Sequence, residues 1–332
     1  MVKTRFFRAL ASNPKLVAVN ALICALTIAL AVDPKQCIAS VHSALGMFVQ
    51  SVLPALLPYF FFTKLLTSLG AARAIGDLFR RPVALLYNAP PIGGYVCLMS
   101  LLSGYPVGAR LLGDLYKAGV IDGADARCIS SFASTSGPLF VVGTVGTAMF
   151  GSPRLGYALL ACHVAGALLN GLLYRRRKTS MRRAAFVPPC TDNVLASAMT
   201  DSILSVALVG GYIAVFGLAI DLLISTGILG AIASPLAKLL SALGQDPRVA
   251  NSLAAGAVEL TRGCKLLSEI GLETKTALPY LAGMLSFGGV AIAVQSLSFC
   301  SVCGIRIGFF ALTKATQAAI TISLACLVSL VL

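Results

Sequence analysis

Ser103-Gly-Tyr-Pro-Val-Gly-Ala-Arg110-Leu-Leu-Gly-Asp114-Leu115 breaks an apolar segment with Gly, Pro and Gly, then sets a cation and an acid four residues apart. A related stretch follows 155 residues later. Gly108-Ala-Arg110-Leu-Leu-Gly-Asp114-Leu115 aligns with Gly263-Cys-Lys265-Leu-Leu-Ser-Glu269-Ile270. At the same offset Ser131-Phe132 meets Ser286-Phe287, and Arg154-Leu-Gly156 meets Arg306-Ile-Gly308 with three residues deleted. One unit used twice, each copy centred on a broken apolar segment, is the pattern of a transporter with its substrate site at the breaks.

The solvent follows from composition. The chain has 332 residues, 58% hydrophobic and 11% charged, with mean hydropathy +0.89. A soluble domain carries about 25% charged residues, so lipid is the medium that fits. The net charge of +14 sits at segment ends and in short loops. With no Trp and no aromatics interleaved with basics, nucleic acid is excluded as a partner. Two His and no HExxH, GxSxG or P-loop leave no basis for an enzyme or a metal centre. Cys300-x-x-Cys303 stands without a second pair, and the cysteines read as small buried hydrophobes.

In chain order, Leu16–Val32 reads as a retained first span. Ser40–Leu69 reads as a long helix kinked at Pro54 and Pro58, and Ala71–Tyr87 as an amphipathic interfacial helix. Ile92–Leu102 and Val107–Tyr116 are each too short to cross a bilayer, which takes about 20 residues. Joined at the Gly/Pro tip, they predict a re-entrant hairpin. Ala124–Met149 spans but carries Ser134-Thr-Ser-Gly-Pro138, which predicts unwinding at mid-depth. Arg154–Leu173 spans cleanly, and the basic linker follows. Ser202–Leu229, the interfacial Gly230–Leu243, a second hairpin over Arg248–Ile270, a broken span Thr276–Ser301 and a last span Ile307–Leu332 repeat the plan.

The expected architecture is therefore an all-α polytopic membrane protein of about seven full crossings. It divides into an N-terminal helix (1–39), a first repeat (40–174), a basic cytoplasmic linker (175–198) and an inverted second repeat (199–332). Three crossings per repeat invert the copies. With the N-terminus cytoplasmic, Lys3, Arg5, Arg8, Lys15, Arg73, Arg80, Arg81 and the six basics of Arg175–Arg183 lie inside. Only Lys35, Arg154, Lys238, Arg248 and Lys275 lie outside, with the C-terminus external.

Ionisable residues in a bilayer cost about 2.5–3.5 kcal/mol each, so each calls for a use or a partner. The expected site gathers the first tip (Ser103, Gly104, Tyr105, Pro106, Gly108, Arg110) and the first break (Ser134, Thr135, Ser136, Gly137). It adds the second tip (Glu259, Thr261, Arg262, Gly263, Lys265) and the second break (Phe287, Gly288, Gly289), with Gln295 beyond it. Helix N-termini near Val107 and Pro138, with Arg110, Arg262 or Lys265, suit a small anionic solute. Structural readings stay open beside these. Arg110–Asp114 and Lys265–Glu269 also fit plain i,i+4 ion pairs, Glu259–Arg262 an i,i+3 pair, and Ser134, Thr135 and Ser136 a cap on the half-helix, while His163 fits helix packing as well as a proton relay. Lys64, Asp221 and Lys314 are further charges within spans. No cofactor is expected. Sodium or a proton remains open as coupling ion, as does homo-oligomerisation.

Three stretches carry a resemblance: SGYPVGARLLGDLY (Ser103–Tyr116), SGPLFVVGTVGTAMFGSPRLGYALLACH (Ser136–His163) and SFGGVAIAVQ (Ser286–Gln295). Over roughly residues 45–330 the chain resembles the sporulation integral membrane protein YlbJ family, which carries the nucleoside-recognition or Gate domain. That domain is similar to the core of concentrative nucleoside transporters. The resemblance implies two hairpins and two unwound helices around a substrate, and transport of dipicolinic acid into the developing spore, at the outer forespore membrane. A nucleoside-type solute is the alternative within that class, and a non-transporting spore-envelope scaffold the alternative outside it. Ala133-Ser134-Thr135 stands where the family pattern has an Asn-rich run.

Overall fold

The computed structural model describes residues 14–176 and 193–331. The basic N-terminal residues Lys3, Arg5 and Arg8 and most of the expected linker lie outside them. The described residues form helices and no strand.

Helix α1 (Pro14–Val32) ends at Asp33, whose carboxylate caps α2 (Pro34–Met47) by accepting from the Gln36 N–H at 2.9 Å. A π-helical turn, Phe48–Val52, carries α2 into α3 (Leu53–Ser68). The expected interfacial helix is two short pieces, α4 (Ala71–Leu78) and α5 (Arg80–Tyr87), divided at Phe79. The chain then turns by 97° into α6 (Ile92–Ser103), which returns as α7 (Tyr105–Lys117).

Gly104 alone separates those two helices, at φ 100°, ψ −178°. A residue with a Cβ avoids that region. The arms then lie close together: a Cβ on Gly108 would sit 2.7 Å from Ser100 Oγ of the opposite arm. Helix α8 (Gly123–Phe132) follows, opened by a capping box in which Asp122 accepts from the Ala124 and Asp125 N–H groups. Residues 133–137 are unwound, and a π-helical stretch, Leu139–Met149, continues to α9 (Pro153–Leu173).

The same order of elements recurs. A 32-residue helix α10 (Val194–Ser225) and α11 (Ile228–Ala242) precede a second hairpin, α12 (Val249–Val258) and α13 (Leu260–Ser268), whose tip is Glu259 in extended conformation. Helix α14 (Thr274–Phe287) breaks at Gly288-Gly289, both at positive φ, and resumes as α15 (Gly289–Cys300). Helix α16 (Ile307–Ser329) closes the chain.

By length and composition Pro153–Leu173, Val194–Ser225, Thr274–Cys303 and Ile307–Ser329 can each cross a membrane. The number rises to six if each of two bent pairs is one span. This is an all-α polytopic membrane protein. The expected seven is not reached on that criterion because the other crossings are interrupted: at Asp33, at the π turn of α2–α3, and at residues 133–137.

The long helices α2, α3 and α10 pack together on one side. α9, α14 and α16 form the other, with α9 also along the π-helical stretch. Arm α7 lies along α15, so the first hairpin packs on the second broken helix. Buried Tyr95, Met99, Leu112, Ile129 and Phe132 fill the core around the first hairpin, and Leu155, Leu159, Leu278 and Leu281 that near the second. Cys128, Cys162, Cys264, Cys300 and Cys303 are buried free thiols within this packing.

The second hairpin depends on a glycine contact. A Cβ on Gly263 would lie 2.3 Å from the Gly256 Cα, against backbone that has no room to move. Gly263→Ala is expected to cost about 1–3 kcal/mol by overpacking. Gly211→Ala, with nothing near its Cβ position, should leave the unfolding midpoint of the purified protein unchanged or higher. Equal midpoints for the two variants would refute the close-packed hairpin.

Candidate functional site

Both hairpin tips and both breaks converge. Each tip first meets the break of its own half. A Cβ on Gly104 would lie 3.3 Å from the Gly137 nitrogen, and one on Gly289 would lie 2.7 Å from the Gly256 carbonyl oxygen. Between them is a cavity of about 100 Å³, several times the ~10–15 Å³ that one water occupies. Ser103, Gly104, Tyr105 and Pro106 line it from the first tip, and Glu259, Leu260 and Thr261 from the second. Ser136 and Gly137 come from the first break, and Ala291, Ile292 and Gln295 from α15. Val52, Leu56 and Tyr59 on the α2–α3 rod and Val209, Tyr212 and Ile213 on α10 close it.

The wall is thus mostly apolar and aromatic, with a few polar groups, as solute sites are. Two of these groups have distinct chemistry. The Glu259 carboxylate is buried and accepts from the Thr261 N–H at 2.9 Å and the Arg262 N–H at 2.7 Å, so it caps α13 while facing the cavity. Gln295 is 4% exposed, and its Nε2 has no protein partner. A buried amide nitrogen left unpaired costs about 1–3 kcal/mol, which a bound acceptor would recover.

The other expected site residues lie outside that wall. Arg110 belongs to a four-charge cluster: its guanidinium is 3.5 Å from Asp201 and 3.9 Å from Asp114. Lys64 approaches the same two carboxylates at 3.2 and 3.5 Å. Two cations and two anions balance, joining α7 to the rod helices α3 and α10. Arg262 donates to Asp221 Oδ1 at 2.6 Å, tying the second hairpin to α10 as well. No ion pair joins Lys265 to Glu269 among the described residues. Gly108 is wedged against Ser100 and the Ala133 carbonyl, and Gly263 against Gly256. Gly288 and Gly289 form the second break, while Phe287 faces a separate groove of about 820 Å³ between α14 and α16. Glu259 is the one charged residue on the cavity wall among the described residues.

Ser134 and Thr135 act behind the wall, where residues 133–137 have lost their helical partners and other spans replace them. The Thr135 N–H donates to Ser100 Oγ at 3.3 Å, the Ser136 N–H to His163 Nε2 at 2.9 Å, and Lys314 Nζ to the Ser134 carbonyl at 2.8 Å. Asn170 Nδ2 donates to the Ser131 carbonyl at 2.9 Å. His163 Nε2 accepts, so the imidazole proton sits on Nδ1 and donates to Ser286 Oγ, 2.8 Å away. Ser286 passes the chain to Thr321 Oγ1 at 2.9 Å, and Thr321 to the Gln317 carbonyl at 2.8 Å. Ser131 and Ser286, paired by the sequence alignment, thus both serve this network.

Sequence reasoning missed the role of Ser100, Asn170, Gln317 and Thr321, and the aromatic wall of Tyr59 and Tyr212. A helical spacing was available for the former. Lys314, Gln317 and Thr321 lie at i, i+3 and i+7, and His163 and Asn170 at i and i+7, each set on one face.

Over 319 aligned residues the chain is 28% identical to the sporulation integral membrane protein YlbJ of Bacillus subtilis (strain 168). The match covers 88% of this chain and 77% of that relative. The chain is thus similar to that integral membrane protein over most of its length. No family model matches it, and no solved structure matches it significantly.

The imidazole bridge between residues 136 and 286 is a testable joint. His163→Ala removes an acceptor from the buried Ser136 N–H and a donor from Ser286. It is expected to cost about 2–4 kcal/mol, from unpaired buried groups plus a cavity. His163→Gln, which can offer one acceptor, should recover part of that. Thermal unfolding of the three proteins in one detergent decides it, and an unaltered midpoint for His163→Ala would remove the bridge from the account.

Proposed function

We propose that this membrane protein moves a small, flat, aromatic solute across the bilayer by alternating access. Dipicolinic acid is the first candidate and a nucleoside-type solute the second. The observation that carries this reading is the shared cavity. Two helical hairpins and two broken helices meet at one mostly apolar pocket, where Gln295 Nε2 waits for an acceptor. Helices broken at such a pocket are the construction that transporters use. The hairpin arms α6–α7 and α12–α13, too short to cross, would enter and leave on the same side in oppositely oriented halves. α2, α3 and α10 would form the scaffold past which they move. The N-terminus would face the cytoplasm and the C-terminus the outside, and the outer forespore membrane suits a sporulation relative.

Glu259 bears on the form of the solute. A carboxylate on the wall opposes a dianion, so dipicolinate would enter with a proton on Glu259 or on itself. The absence of a cation from the described wall favours a neutral solute as the second reading.

Uptake into vesicles reconstituted with the purified protein tests the proposal. Wild type should take up labelled dipicolinate faster at mildly acidic than at mildly alkaline pH, and Glu259→Gln should flatten that dependence. Gln295→Ala should weaken solute binding about tenfold, the ~1.4 kcal/mol of one hydrogen bond to a buried donor. Arg110→Ala should bind solute as wild type does, because its partners are Asp114 and Asp201. Saturable uridine uptake in place of dipicolinate would select the nucleoside reading. No movement of either solute would favour a spore-envelope scaffold.

A further inference from the structure

Lys314 is the charge that the cavity leaves unexplained. It lies in the first half of α16 and is 2% exposed, and no carboxylate is bonded to it among the described residues. A buried ammonium is costly unless its donors are met. Here two hydrogen bonds to neutral groups and an aromatic face surround it. Nζ donates to the Ser134 carbonyl at 2.8 Å and to Gln317 Oε1 at 2.9 Å, and it stands 4.5 Å from the centre of the Tyr105 ring. The Phe310 ring lies at 5.9 Å, on the fringe of cation–π range. The titratable groups near it are Tyr105 and His163, themselves in edge contact.

The Gln317 amide gives a second, independent sign. Its Oε1 faces the ammonium while its Nε2, fully enclosed, has no partner. The side chain presents its oxygen to the cation at the expense of its own donors. A carbonyl of unwound backbone, an amide oxygen and an aromatic face form a neutral cage for a monovalent cation. In broken transporter helices, unwound carbonyls hold exchangeable coupling ions.

We propose that the Lys314 ammonium is the resident cation of the first broken segment: Ser134, Gln317 and Tyr105 form a primary-ammonium site that the chain fills itself, leaving no place there for an exchangeable metal ion. The site holds together the Tyr105 tip, the Ser134 break and α16. It stands whether or not the solute reading above is right, because its test follows stability and not transport.

Thermal unfolding of the full-length protein can be followed with a thiol-reactive fluorophore, since Cys128, Cys162, Cys264, Cys300 and Cys303 are buried. Wild type should unfold at one temperature in sodium, potassium and choline chloride of equal ionic strength. Lys314→Ala should unfold earlier, and methylammonium should restore much of the loss where tetramethylammonium, too large for the cage, does not. Gln317→Glu should raise the midpoint. It sacrifices no bond at the unpartnered Nε2 and gives the ammonium a counter-charge. That variant and the wild-type salt series decide the matter even if Lys314→Ala fails to fold. Sodium-specific stabilisation of wild type, indifference of Lys314→Ala to methylammonium, or a lowered midpoint for Gln317→Glu would each overturn the assignment.

Discussion

Backbone amides without water are the constraint on which this structure rests. A helix pairs its own N–H and C=O groups, and a break in lipid exposes several at once, each costing kilocalories if left bare. Residues 133–137 make such a break. Their groups are met by Ser100 from the first hairpin, His163 from α9 and Lys314 from α16. These donors and acceptors come from well-separated parts of the chain, so the unwound conformation exists only once the spans have assembled. The local sequence permits the break, and the tertiary structure supplies its partners.

That division explains what could be read in advance. Ser134-Thr-Ser-Gly-Pro138 and Gly288-Gly289 announce their breaks through missing donors and positive φ, and both appear where expected. The hairpin tips were equally legible from Gly104 and from the length of the arms. Element ends drifted where side-chain caps decide them. α10 begins at Val194, capped by Asn193 accepting from the Ala196 N–H at 3.0 Å, instead of near Ser202. The interfacial segment is split at Phe79, which no side-chain cap marks. Neither effect has a periodic signature.

Charges were the harder case, because a charge in sequence names no partner. Arg110 and Asp114 stand four apart and do approach each other, yet Asp201 and Lys64, from two other helices, complete the cluster. Lys265 repeats the position of Arg110 in the second half, but there the bridge to α10 is made by Arg262, three residues earlier. Each hairpin has a close glycine contact, at Gly108 and at Gly263, which backbone geometry enforces. The ion pairs are individual, set by which acid α10 offers at Asp201 or Asp221.

The consequence for the site is electrostatic. Arg110, Lys64 and Arg262 are all engaged with carboxylates on or beside α10, and Lys314 is enclosed behind Tyr105. Arg110 and Arg262, which a sequence reading assigns to the solute, therefore hold hairpins to their surroundings. What faces the cavity is the Glu259 carboxylate, the Gln295 amide, small hydroxyls and aromatic rings. In a medium of low dielectric one uncompensated charge outweighs several hydrogen bonds. On the proposed transport reading, a solute with its own negative charge would enter favourably only when Glu259 or the solute is protonated, whereas a flat neutral ring would need no such adjustment. On that reading, proton linkage and solute charge would both turn on Glu259, the charged residue of the described wall.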